Sequence, residues 1–312
     1  MIAYIIRRLL QMIPIMLGVV LLLFFLFNWV GGDPAYVLAG KISNEEQIAN
    51  IRHQLGVDRP VYVQIGIFLK QIATGDFGAS WSTGEQVSHI LKSRIAPSIT
   101  ILLPLLILET LLAIALALIV ARVRGSLTDR AIMILCTVGM SISILVYIIV
   151  FQFVFAYRLG WFPVQGWGNS LTENLFTYAV LPILIGLVVG LAPNLRLFRS
   201  FMLDEIDQDY VRTARAKGLS ERRILWVHVL RNASIPIITF VMASLPGLLA
   251  GSFLIERFFS IPGIGREVIL AVERSDFPVI KAITVYIAIA TMFANLFADL
   301  IYKAVDPRVE LK

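Results

Sequence analysis

The sequence predicts an all-α integral membrane fold of about six spans. Of the 312 residues, 58% are hydrophobic and only 15% are charged, where soluble domains carry roughly 25% charge. A soluble protein of this length has no core large enough to hide so much apolar surface, so lipid supplies the missing solvent. The second observation is where the charge lies. Net charge is +6, but the basic residues sit in short segments between long apolar runs, the pattern that orients a membrane protein. Membrane lipid is the implied surroundings, and nucleic acid is not an implied partner.

The amino terminus needs separating from a secretory signal, because Arg7-Arg8 followed by an apolar run imitates one. The stretch 9–29 is longer than the ~7–15 apolar residues of a signal core, and no small-x-small cleavage site follows it. It therefore reads as a retained first span. Crossing ~30 Å of hydrocarbon takes about 20 apolar residues, and five more windows qualify: 99–121, 131–157, 178–195, 233–255 and 283–301. The fourth is the shortest and ends at Arg196. Pro14, Pro104, Pro182, Pro236 and Pro246 inside these windows kink helices without expelling them, because neighbouring groups re-satisfy the freed carbonyls.

With the amino terminus inside, the cytoplasmic segments hold Arg7 and Arg8, then Arg122, Arg124 and Arg130. A third such segment runs from Arg196 to Arg231, and the tail adds Lys303, Arg308 and Lys312. Short basic loops weigh most in this rule, so both termini are expected in the cytoplasm.

Two loops are too long to be mere connectors. The first, 30–95, is expected outside as a small helical insertion. Ser43 and Glu46 have capping-box spacing for a helix ending near Gly56, and a second helix is expected from Pro60 to Gly75. The second loop, 198–232, is charged and amphipathic. Its first helix, from Asp209, should stop at Gly218, where a left-handed residue turns the chain, and a second helical stretch covers 221–230. Ala214 and Ala216 keep the first helix slim while Arg212, Arg215 and Lys217 cover its flanks. Such a helix is shaped to sit in a groove on another protein; the plain alternative is a solvated basic loop that fixes topology.

Enzymatic chemistry finds little to work with. A phosphate-binding loop needs Gly-x4-Gly-Lys-Ser/Thr, and Gly40-Lys41 is followed by Ile42 without the upstream glycine. His53, His89 and His228 lie at no metal-ligand spacing, so no metal or other cofactor is expected. Cys136, the single cysteine, sits in an apolar run and reads as a small buried hydrophobe. Ser141 and Ser143 lie at membrane depth with no histidine in any span to activate them. No residue is assigned as catalytic.

Glu109 stands near the middle of 99–121, where a charge costs at least about 2.5 kcal/mol unless solvated or paired. It reads either as a pathway-facing carboxylate that meets a positively charged group of a cargo or as a structural group hydrogen-bonded between helices. Asp299, near the end of the last window, is expected to pair with a nearby base. The segment 259–266, with one proline and two glycines, should form a rigid external turn.

The segment from Asp209 to Asn232 resembles the cytoplasmic signature of importer-type ATP-binding-cassette permeases: Glu-Ala-Ala, three residues, Gly, then nine residues before Ile-x-Leu-Pro. Ala214 and Gly218 fill the second alanine and the glycine. Arg212, Thr213 and Arg231 stand where the general pattern has glutamate, alanine and proline. These departures agree with the dipeptide, oligopeptide and nickel branch, where Arg-Thr-Ala-Arg-Ala-Lys-Gly and His-x-Leu-Arg-Asn are typical. Here they read Arg212-Thr213-Ala214-Arg215-Ala216-Lys217-Gly218 and His228-Val229-Leu230-Arg231-Asn232. Arg7-Arg8-Leu9, Gly32-Asp33-Pro34 and Gly75-Asp76-Phe77-Gly78 are similar to the same branch. So are Phe259-Ser260-Ile261-Pro262-Gly263-Ile264-Gly265-Arg266, Asp276-Phe277-Pro278-Val279, Asp299-Leu300-Ile301-Tyr302 and Asp306-Pro307-Arg308.

The resemblance, to the first permease of a dipeptide-type system, implies a type I ABC importer fold with an external helical insertion after the first span. It implies an alternating-access pore shared with a second, similar permease, in a bacterial inner membrane. Two ATP-binding subunits and an external peptide-binding protein would complete the assembly. Asp209, Arg212, Thr213, Ala214, Arg215, Lys217 and Gly218 would then couple ATPase closure to the spans, and Glu109 is the candidate on the substrate pathway. The chain divides accordingly into 1–30, an external insertion 31–95, a transmembrane core 96–305 that contains the coupling loop 198–232, and a tail 306–312. Peptide cargo leads; nickel and other small peptides such as glutathione are alternatives. A self-sufficient proton-coupled transporter working through Glu109 is the competing mechanism.

Overall fold

A computed structural model describes residues 2–26, 35–36, 44–55 and 58–305. The expectations at Gly32-Asp33-Pro34, Ser43, Gly56 and the 306–312 tail lie outside these residues. Among the described residues the structure is helical, and the β pairing is a single isolated bridge, Ala79 to Gln86.

Among the described residues, five helices are long and apolar enough to cross a bilayer: Tyr4–Phe25, Val87–Arg122, Val180–Ile206, Glu221–Phe258 and Phe277–Ile301. A sixth arises if the pair Leu127–Ser141 and Ile144–Arg158 is one span bent by 91°. The window expected at 131–157 is therefore broken in its middle. Ile142 and Ser143 are extended, and the Ser143 hydroxyl accepts the Leu145 amide as the cap of a new helix. Serine prefers such caps because its oxygen satisfies an orphan amide.

Other boundaries move outward. The second span starts at Val87, inside the stretch expected to be insertion, and Pro97 is accommodated within the helix. The fourth runs on past Arg196 to Ile206. The stretch 221–230 is the entry of the fifth span, with a π-turn over Ile224–Val229. Of the loop expected at 198–232, only 207–220 lies outside these two rods.

The insertion contains the two expected helices, Glu45–Leu55 and Val61–Thr74. A capping box opens the first one residue later than expected: Gln47 donates its amide to Asn44 Oδ1 at 2.9 Å, and the Asn44 amide reaches Gln47 Oε1. The second ends at Gly75, which is left-handed at φ 67°, as its lack of a Cβ permits.

The Val87–Arg122 and Val180–Ile206 helices pack along each other to form the centre of the molecule, and the last helix lies against the fifth and the first. Among the described residues, buried apolar side chains form three groups. One sits under the 207–220 segment (Phe198, Met202, Val211, Ile224). Another joins the first helix, the insertion and the last helix (Leu23, Phe68, Phe77, Ile283), and a third surrounds Ile148, Leu181 and Ile261. The outward faces remain apolar: Leu10, Leu111 and Leu135 are 59–69% exposed. Such broad exposed apolar surface marks contact with lipid.

Asp299 finds the base expected for it. Arg8 donates from Nε at 3.1 Å and from a terminal nitrogen at 2.9 Å, and the Tyr4 hydroxyl adds a bond of 2.7 Å. These contacts clamp the first helix to the last.

Candidate coupling helix and translocation path

The 207–220 segment is built around one short helix, Asp209–Ala216. Its end is a glycine turn. Gly218 has φ 76°, its amide donates to the Arg215 carbonyl at 2.9 Å, and the Leu219 amide donates to Ala214 at 3.3 Å. Glycine takes this conformation without the Cβ penalty. Beyond the turn, Arg215 grips Glu221 through two bonds, 2.7 and 3.3 Å, and so fixes the helix to the start of the fifth span. On the other side, Tyr210 donates to Glu205 at 2.6 Å; burial, then this bond, pushes its pKa up to about 12. The helix is thus tied to the ends of two membrane rods.

The helix has two unlike faces. Val211 and Ala214 are buried against Met202, Ile206, Ile224 and Leu225 of the same chain. Asp209, Arg212, Thr213, Arg215, Ala216 and Lys217 are exposed. Ala214 is therefore small because its own core leaves no room, and the free face is charged, with Thr213 and Ala216 as its low points. The Arg212–Asp209 pair, at 3.3 Å, is almost fully exposed and contributes little to stability. The preceding loop is held at two places: Arg124 meets Asp207 at 2.7 Å, and the buried Asp129 meets Arg199 at 2.7 Å.

Glu109 lies between the second and fourth spans. Asn194 donates its side-chain amide to Glu109 Oε1. A Cβ on Gly190 would collide with the Glu109 carboxyl, and one on Gly186 with Leu105. Small residues one turn apart let two membrane helices approach closely, and here they form a slot that receives Leu105 and Glu109. The Gly-x3-Gly spacing in an apolar run was a signal available in the sequence; nothing in one sequence pairs Asn194 with Glu109.

Two further carboxylates escaped the sequence reading of single residues. Glu256 is fully buried. Its oxygens accept the amides of Ser252 and Arg266, each at 3.0 Å, and the hydroxyl of Ser98 at 2.8 Å. It thereby fastens this segment to the second span; of the turn expected at 259–266, residues 259–263 join two helices, Phe253–Phe258 and Ile264–Glu273. Asp276 is also buried and accepts from Ser80, Trp81 and Ser82. Among the described residues no cluster of three or more metal-binding side chains occurs.

Residues 113–311 match the family described as the binding-protein-dependent transport system inner membrane component, and residues 1–102 match its amino-terminal region. The chain belongs to this family. It is a multi-pass membrane permease component of the ABC importer kind. It is 35% identical to the probable peptide ABC transporter permease protein of Sinorhizobium fredii, over 98% of both chains. Identity is also 35% with the oligopeptide transport system permease protein of Bacillus subtilis, over 99% of this chain and all of the relative. With the glutathione transport system permease protein of Salmonella typhi it is 34% over the whole of both. The matched stretch 113–311 thus takes in the 207–220 segment, the helix that carries Gly186 and Gly190, and Glu256.

Proposed function

We propose that this permease forms one half of an alternating-access path that imports di- and oligopeptides across a bacterial inner membrane. ATP hydrolysis in two separate subunits drives it, a second similar permease supplies the other half, and an external peptide-binding protein delivers cargo. Both termini lie in the cytoplasm. The observation that carries this reading is the Asp209–Ala216 helix: its apolar edge is fixed to the ends of two spans while its charged edge faces away from the chain. A partner that pushes on Arg212, Thr213 and Lys217 would move both rods together, the requirement for biasing a two-state pore from outside the membrane. Peptide cargo rests on relatives named for peptides and oligopeptides, and the Salmonella relative favours glutathione as a second candidate of the same chemical kind.

Reconstitution in liposomes tests the reading. Uptake of a labelled dipeptide should require both permeases, both ATPases, the binding protein and ATP. Uptake by this chain alone, driven by a pH gradient, would replace the proposal with the proton-coupled mechanism.

A further inference from the structure

The face that carries the insertion and the 251–276 turn holds a cavity of about 230 Å³ between the start of the second span and the Ile264–Glu273 helix. Three arginines, Arg94, Arg266 and Arg274, line it together with Glu85 and Glu267. Neither carboxylate is idle: Glu267 pairs with Arg94 at 3.0 Å, and Glu85 pairs with His89. Arg266 is held from behind. Its amide donates to buried Glu256, and one terminal nitrogen donates to the Ser260 carbonyl at 2.8 Å. Its Nε is buried with no acceptor among the described residues. Burial, then the nearby charges of Arg257 and Arg94, lower the Arg266 pKa, and Glu267 offsets part of this.

We infer that this cavity is a carboxylate site, occupied by the free α-carboxylate of a peptide as it passes from the binding protein towards the path. The inference rests on the proposed peptide cargo. Arginine offers planar paired donors that match a carboxylate. The Arg266 backbone is anchored to buried Glu256, and Arg274, also lining the cavity, is exposed. The site takes one carboxylate and reads no side chain, which suits a transporter of varied sequences.

The complete reconstituted importer is assayed with one dipeptide as its free acid and as its carboxy-terminal amide, for wild type, Arg266→Gln and Arg274→Gln. Arg274 is exposed, so its variant folds even if Arg266→Gln does not. Expected is a rise in KM on the order of tenfold for the free acid, the loss of a charge-assisted bond, with the amide's KM unchanged. Docking of the cargo-loaded binding protein, measured on liposomes, should be unaffected. Equal effects on both peptides, or none on either, overturn the site. Weakened docking of the binding protein overturns it too, by making an acidic side chain of that protein the occupant. If wild type transports no peptide at all, the proposed cargo is what fails, and that outcome differs from transport without discrimination between the variants.

Discussion

Ser80 donates its hydroxyl to Asp276, joining two segments 196 positions apart. Ser82 adds its hydroxyl at 2.8 Å and its amide at 3.1 Å, and the Trp81 amide adds another bond at 3.1 Å. Trp81 also meets Phe277 edge-on at 5.4 Å. The loop after Gly75 is thereby sewn to the start of the last span. Asp276→Asn turns one acceptor oxygen into a donor that faces donors, in a site with 1% exposure. Losing a hydrogen bond to a buried charge costs about 1.5–3 kcal/mol. The variant should unfold several degrees earlier in detergent, and protease should cut 76–86 first.

The same carboxylate gives a pH dependence of known sign. Burial alone would raise its pKa, but the bonds from Ser80, Ser82 and Trp81 outweigh that and hold it below the usual carboxylate range. A carboxyl more acidic in the folded than in the unfolded chain contributes stability that is fully present above the unfolded value, about 3.9. That contribution disappears as pH falls through the lower, folded value. Thermal midpoints of wild type should drop as pH falls below about 4, and Asp276→Asn should show a shallower acid limb. Parallel curves would exclude Asp276 as the titrating group.

Gly190 and Glu109 should behave as one unit. A methyl at Gly190 strikes the Glu109 carboxyl, and overpacking of this kind costs about 1–3 kcal/mol. Gly190→Ala should therefore lower the yield of assembled complex, and adding Glu109→Ala should restore most of it. The measurement is a double-mutant cycle on thermal midpoints, with an interaction term of about 0.5–3 kcal/mol. Additive effects would mean that the helices separate here instead of colliding. Glu109→Gln keeps an oxygen for Asn194 and should leave assembly intact, so impaired uptake in that variant is the reading for a role on the substrate pathway.

What the sequence revealed follows its periodicities. Long apolar windows located the spans, and Gly75 and Gly218 marked helix ends because a positive φ leaves a residue-type signature. The break at Ile142–Ser143 was hidden, because two extended residues in an apolar run change neither hydropathy nor period. Span ends were set too short wherever an amphipathic turn continued a rod, as at Val87 and Ile206. The buried carboxylates were invisible as sites because their partners are remote. Glu256 needs Ser98 and Asp276 needs Ser80, and no local spacing records either pairing. The inward face of Ala214 is the same lesson at one residue. Slimness was legible, but which surface required it depended on the packing of Met202, Ile224 and Leu225.

That orientation separates folding from coupling within a single turn of helix. Ala214→Leu adds bulk to a closed core and should destabilise the chain by about 1–3 kcal/mol, so any loss of transport would accompany loss of folded protein. Arg212→Glu and Lys217→Glu alter only exposed side chains, and substitutions of that kind leave stability nearly unchanged. If the outward face receives the ATPase, the double charge reversal should leave the midpoint and the assembled permease pair intact, yet abolish cargo-stimulated ATP hydrolysis. Opposite charges introduced on the ATPase groove should restore it, which a merely structural role cannot explain. Undiminished stimulation in the charge-reversed protein would mean that the motor grips another surface.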